Sequence, residues 1–209
     1  MLNWDIMPSV EPFFNRPENP SGDGVVLTHG AGGDCNGRLL VAAADALSQA
    51  GFLVLRFDLP FRRARHAPHP SRAGLDRDAL REAAGIMRGM ISGRVVLGGH
   101  SYGGRQSSML AAEDPGVADA LLLFSYPLHP PRTPDKLRTE HLPGIRNPTL
   151  FVHGTKDPFG SIEEMQVASR LLNGPVVLSE VTGAAHDLGG GKFDIAKLVL
   201  RPLSGLLAH

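Results

Sequence analysis

The stretch GGHSYGGR, residues 98–105, holds one hydroxyl in the surroundings of a nucleophile. Gly99-His100-Ser101-Tyr102-Gly103 fits the spacing G-x-S-x-G, directly after the apolar run Val95–Leu97 and ahead of a helix-compatible segment, Arg105–Ala112, that ends at Asp114-Pro115. The five-residue pattern alone is unspecific, but a strand, a turn of small residues and a helix are the context that presents a serine on a strained turn. Ser101 then sits at a helix N-terminus, where free amides and the dipole favour developing negative charge. The bland alternative is a passive serine in a Gly-rich strand-to-helix turn.

A serine hydroxyl is a weak nucleophile until a base takes its proton. On strand-turn-helix serine sites the acid and then the histidine follow in chain order. His186, in TGAAHDLGG just beyond the strand-like Val176–Val181, lies on a small-residue loop at a strand's carboxyl end. Its rivals are weaker: His153 lies inside a strand-like run, His129 and His141 in a Pro-rich stretch, and His209 at the terminus. The carboxylate that would orient the imidazole is Asp157, in HGTKDPFG directly after Thr149–Val152. Asp187, adjacent to His186, competes on paper, but its side chain normally points elsewhere. Acyl chemistry also needs amides aimed at an oxyanion. Tyr102 supplies one, and the Gly-rich THGAGGD, residues 28–34, supplies another through Ala31 or, less favoured, Gly32. A phosphate cradle is the alternative for that loop, but the G-x-G-x-x-G fingerprint is absent.

These loops need a scaffold that brings several strand ends together. Short apolar runs, Val25–Thr28, Phe52–Phe57, Val95–Leu97, Leu121–Phe124, Leu150–Val152 and Val176–Leu178, read as strands buried on both faces. Between them lie helix-period faces: Leu40, Ala43, Leu47 and Ala50; Leu80, Ala83, Met87 and Met90 or Ile91; and Ile162, Met165, Ala168 and Leu172, the last opened by a Ser161/Glu164 capping box and closed at Asn173-Gly174. No further helix is assigned after that point. Strands alternating with helices predict one α/β domain, a mostly parallel sheet covered on both faces, over residues 25–209. Residues 1–24 read as an irregular lead-in with no clear strand, and Trp4 as a packing residue. Tyr126–Pro148 holds six prolines and is expected to be irregular, with at most one short helix near Pro134–Glu140, and to line the site.

Composition narrows the field. The chain has 209 residues with 21 Lys+Arg against 21 Asp+Glu, so its net charge of zero gives no footprint for nucleic acid. One Cys builds neither an intrachain disulfide nor a Cys₂ metal site. The N-terminus lacks a signal-like apolar region and no apolar run is long enough for a membrane span, so a cytoplasmic protein is expected, a monomer or homodimer with no cofactor and no metal.

HGAGGD, the GGHSYGG turn, FVHGTKD and GAAHD, in this order and with RFDLPFRR (Arg56 to Arg63), resemble the α/β-hydrolase superfamily, and within it the small dienelactone-hydrolase-like branch that includes the testis-expressed-protein-thirty-like proteins. The resemblance runs from Val25 to the C-terminus. It implies a three-layer fold, here a minimal core without a cap domain, with Ser101, Asp157 and His186 as triad and Ala31 and Tyr102 as oxyanion donors. Two departures stand out: Ser101 occupies the position where dienelactone hydrolases proper carry Cys, and the superfamily's N-terminal strand pair is not evident. The implied activity is acyl transfer on a small ester or thioester. A peptidase or C–C hydrolase with the same triad, and a non-catalytic binding module, are the alternatives.

Weaker signals complete the reading. Gly32, Phe159, Arg62 and His129 are candidate substrate contacts, and Tyr102 a further pocket wall. Arg62, Arg63 and Arg65 crowd the loop after the second strand, where an anionic acyl group or only solvent could meet them. Arg105, four residues after Ser101, braces the turn or faces solvent. Cys35 reads as a passive residue at the start of the first helix. His66 and His69 make a poor metal pair, because no Cys or carboxylate accompanies them.

Overall fold

The structure is a computed structural model and describes residues 12–208. Trp4 and His209 lie outside the described residues. A seven-stranded sheet runs β1 (Pro12–Asn15), β3 (Leu53–Phe57), β2 (Gly24–Thr28), β4 (Val95–His100), β5 (Ala120–Phe124), β6 (Thr149–Gly154), β7 (Val176–Val181). Every neighbouring pair is parallel except β1 with β3. The helices are α1 (Arg38–Gln49), α2 (Pro60–Arg63), α3 (Ala73–Met90), α4 (Tyr102–Glu113), α5 (Ile162–Ser169) and α6 (Ile195–Leu207).

The period-2 alternation of side chains divides the apolar runs between two cores. Val25 and Leu27 of β2, Val96 of β4, Leu122 of β5 and Leu150 of β6 pack on α1 and α6. Val26, Leu97, Leu121 and Phe151 from the same strands pack with residues of α3, α4 and α5 on the other face. Strands buried on both sides have no polar face to alternate, which is why they read as continuous apolar runs. This is the three-layer α/β-hydrolase arrangement, and among the described residues no cap domain is inserted into it. No helix there is long and apolar enough to cross a membrane.

Four local expectations need correcting. Pro12–Asn15 is a strand, antiparallel to β3, so the lead-in is not irregular throughout. Four residues are too few to show a pattern, and the free edge of β3 supplies the partner; Pro12 is tolerated as the first residue of an edge strand. Ala50 caps α1 and is exposed rather than part of its buried face. Residues 134–140 form turns, and the excursion's helical piece is a single 3₁₀ turn at Leu142–Gly144. Finally, α6 is a full helix with Ile195, Val199, Leu203 and Leu206 buried, although Pro202 lies inside it.

Pro202 has no N–H for the Leu198 carbonyl one turn earlier. Tertiary structure supplies the missing donor: the Ser179 hydroxyl of β7 donates to the Leu198 carbonyl at 3.0 Å. Ser179→Ala should therefore destabilise the protein by about 1 kcal/mol in urea unfolding. In a Pro202→Ala background, where the regained backbone N–H restores the helical bond, the same change should cost close to nothing.

Candidate functional site

Ser101 joins β4 to α4 with φ 51° and ψ −114°, a conformation that a residue with a Cβ adopts only under strain, roughly 1–3 kcal/mol. Two backbone bonds clamp it. The Ser101 amide donates to the Phe124 carbonyl at the end of β5 (2.9 Å), and the Gly103 amide donates to the His29 carbonyl after β2 (3.1 Å). A Cβ on Gly103 would lie 2.6 Å from that same carbonyl oxygen, so glycine is required for the approach. With its neighbours' amides committed, the Tyr102 amide, at the first position of α4, has no preceding turn to bond.

The imidazole of His186, on the loop after β7, places Nε2 2.8 Å from the Ser101 hydroxyl oxygen and Nδ1 2.8 and 3.0 Å from the two carboxylate oxygens of Asp157. A carboxylate can only accept, so with both Asp157 oxygens on Nδ1 it is Nδ1 that carries the proton, and Nε2 is free to accept from Ser101. The Asp157 side chain is fully buried and takes a second bond from the Phe159 amide (2.9 Å). The Phe159 ring stacks on His186 at a centroid distance of 4.1 Å. At Gly154, where β6 meets this loop, an added Cβ would collide with the Ala184 carbonyl, so glycine lets the two loops touch. The Lys156 amide seals the contact on that carbonyl at 2.8 Å.

Two histidines outside this chain support it. His100 Nε2 lies 2.8 Å from the backbone carbonyl of His186 and donates to it, tying the loop to the end of β4. Burial pushes the pKa of His100 down to about 4. His29 accepts the Leu59 amide at Nε2 (3.1 Å), so Nδ1 donates to the Gly30 carbonyl at 2.8 Å. Because the peptide is trans, the Ala31 N–H points the opposite way from that carbonyl. Neither histidine is singled out by the sequence reading; the signal available for both was position, each beside a Gly at a strand's carboxyl end.

The candidate contacts divide. A cavity of about 650 Å³ above Ser101 is lined by Ala31, Tyr102 and Phe159, and also by Arg77, Arg105 and Arg138. His129 does not line it: it is buried, with Nε2 3.3 Å from Glu164 and Nδ1 2.8 Å from the Pro130 carbonyl, and thereby pins the Pro-rich excursion to α5. Arg62 pairs with Asp34 at 3.4 Å and lines a separate hollow with Arg63 and Arg65, because α2 turns the basic run away from Ser101. Gly32 is exposed at the turn tip beside Ala31. His153 donates to the Gly160 carbonyl at 2.9 Å, and Asp187 caps the turn after His186 by accepting the Gly189 amide. Cys35 precedes α1 rather than starting it; burial, reinforced by Asp58, pushes its thiol up to about 12. Among the described residues no group of three His, Cys, Asp or Glu is placed to hold a metal ion.

With this geometry in place, comparison with known proteins is decisive for the family. Residues 22–194 match the model of the alpha/beta hydrolase domain. The chain belongs to that family. Three solved structures share its fold. A serine hydrolase without lid from Xanthomonas campestris superposes with a TM-score of 0.77 at 18% identity, over 96% of this chain and 90% of that one. A dienelactone hydrolase from Anabaena variabilis gives 0.68 at 23%, over 94% and 89%. Est1E from Butyrivibrio proteoclasticus, with ferulic acid bound, gives 0.74 at 17%, over 95% and 94%.

The supporting histidines make this hydrolase acid-labile. His29, His100, His141 and His153 all have pKa values pushed below the ordinary 6.5 by burial, His100 and His141 to about 4. The unfolded chain therefore binds protons that the folded chain refuses. Stability should be fully present above about pH 6.5 and be lost as pH falls toward 4, by up to about 1.4 kcal/mol per pH unit for each histidine. The melting temperature should drop steeply between pH 6.5 and 4.5, and His141→Gln should flatten that slope.

Proposed function

We propose that the protein is a serine hydrolase that cleaves a small ester or thioester by acyl transfer, with Ser101 as nucleophile, His186 as general base and Asp157 as the orienting acid. The observation that carries this reading is the continuous hydrogen-bonded chain from the Ser101 hydroxyl through both His186 nitrogens to a buried carboxylate. His186 Nε2 accepts the Ser101 proton as the oxygen attacks the acyl carbonyl. The resulting imidazolium is stabilised by Asp157, and the alkoxide by the amides of Ala31 and Tyr102, a contribution of about 3–4 kcal/mol for each donor. His186 then protonates the leaving group. Water, activated by the same nitrogen, releases the acid and restores Ser101.

Among the described residues nothing covers the open cavity above Ser101, which favours short acyl groups over long lipid chains. The fold it shares with a serine hydrolase described as lidless and with a dienelactone hydrolase is in keeping with small esters. A small-molecule substrate and a cofactor-free reaction belong to the same proposal.

Labelling with a fluorophosphonate and turnover of p-nitrophenyl acetate and butyrate test it. The wild type should label and turn over ester. Ser101→Ala should abolish labelling, and Asp157→Asn should lower kcat by about 10⁴-fold with little change in the fold, because the wrong histidine tautomer is then held. A folded wild type that neither labels nor turns over ester would favour a binding module.

A further inference from the structure

The lining of the cavity beside Ser101 is cationic. Three arginines line it, and no Asp or Glu does. Arg77 is internally satisfied, with Nε 3.2 Å from Glu113 and Nη1 donating to Gln106 at 3.1 Å. The other two are not. Among the described residues Arg105 makes no ion pair with a carboxylate, and its buried Nε–H has no acceptor. The Arg138 guanidinium donates through Nη1 to the Pro127 carbonyl at 3.2 Å, and among the described residues it pairs with no carboxylate. Both side chains line the same cavity, and burial, followed by the charge of Arg105, pushes the Arg138 pKa downward. Both side chains are half-buried, and a guanidinium partly withdrawn from water without a carboxylate partner is more favourable when an anion completes the site.

Position sets where that anion lies relative to the chemistry. Arg105 follows Ser101 by four residues on α4, hence on the same face and one turn along, a rise of about 5.4 Å. Arg138 comes from the Pro-rich excursion, which Tyr126 anchors by donating its hydroxyl to the Arg138 carbonyl at 2.7 Å. Two guanidinium forks lining one cavity suit a carboxylate, which accepts bidentately.

We infer that the substrate is an ester or thioester carrying a carboxylate about one helical turn from its scissile carbonyl, held by Arg105 and Arg138. This rests on the hydrolase reading and narrows it. The basic run at Arg62–Arg65, which lines a different hollow, takes no part.

Matched ester pairs test the inference: mono-p-nitrophenyl glutarate against p-nitrophenyl pentanoate, with the charge on the acyl side, and 3-carboxy-4-nitrophenyl butyrate against p-nitrophenyl butyrate, with the charge on the leaving side. In at least one pair the wild type should favour the anion in kcat/KM by about tenfold or more, and that pair locates the carboxylate. Arg105→Gln and Arg138→Gln should each bring the ratio toward one, and Arg105→Lys should recover part of it. Should Arg105→Gln melt early, Arg138→Gln decides. Equal rates within both pairs, or a preference that survives both substitutions, would overturn the inference. Binding of glutarate to Ser101→Ala, read by calorimetry, separates this from the hydrolase proposal. Binding that Arg138→Gln abolishes, in a protein that turns over no ester, supports the anion site and sinks the esterase. Turnover of neutral esters without glutarate binding or anion preference does the reverse.

Discussion

The site depends on a strained peptide held between two neighbours. Ser101 reaches its left-handed conformation because its own amide is fixed on the end of β5 and the amide of Gly103 on the loop after β2. Those two bonds tie three strand ends to one turn, and only a sheet with adjacent parallel strands can offer both carbonyls at once. Were either lost, the Tyr102 amide and the Ser101 hydroxyl would no longer be aimed at the same space. The strain is offset by the packing of α3 and α4 on the sheet, where Leu80, Met87 and Leu110 are completely buried.

Around this turn, neutral histidines act as struts. His100 and His153 donate to backbone carbonyls, and His29 bonds the backbone through both ring nitrogens. An imidazole offers a rigid donor and a rigid acceptor in one ring, which suits it to bridging loops where no regular backbone pairing exists. Keeping it buried and uncharged gives precise loop positions at neutral pH and makes them vulnerable to acid. His186 differs in being partly exposed while still bonding a buried acid.

A molecule with no net charge nevertheless has a strongly polarised cavity. Several acids lie on the periphery, pairing Arg62, Arg81 and Arg88 at exposed positions, where each pair contributes little. The cavity keeps Arg105 and Arg138 without such partners. Composition averages over this separation; only the placement of each charge relative to Ser101 reveals it.

The layered fold and the Ser101, His186 and Asp157 chain were legible in the sequence because each rests on a local signature: two-sided apolar runs, a G-x-S-x-G turn between strand and helix, and loops at strand ends in the expected chain order. What escaped it was whatever depends on a distant partner. Strand β1 forms because β3 has an open edge, and α6 survives Pro202 because Ser179 reaches its orphaned carbonyl. His129 was set on the cavity by sequence and moved to α5 by its bond to Glu164, while Arg138, unremarked among prolines, was brought to the cavity by the fold of the excursion. Short-range sterics and periodicity act within a few residues and so are written in the chain. Burial, charge compensation and the direction in which a loop side chain points are set by residues tens of positions away, and only tertiary structure decides them.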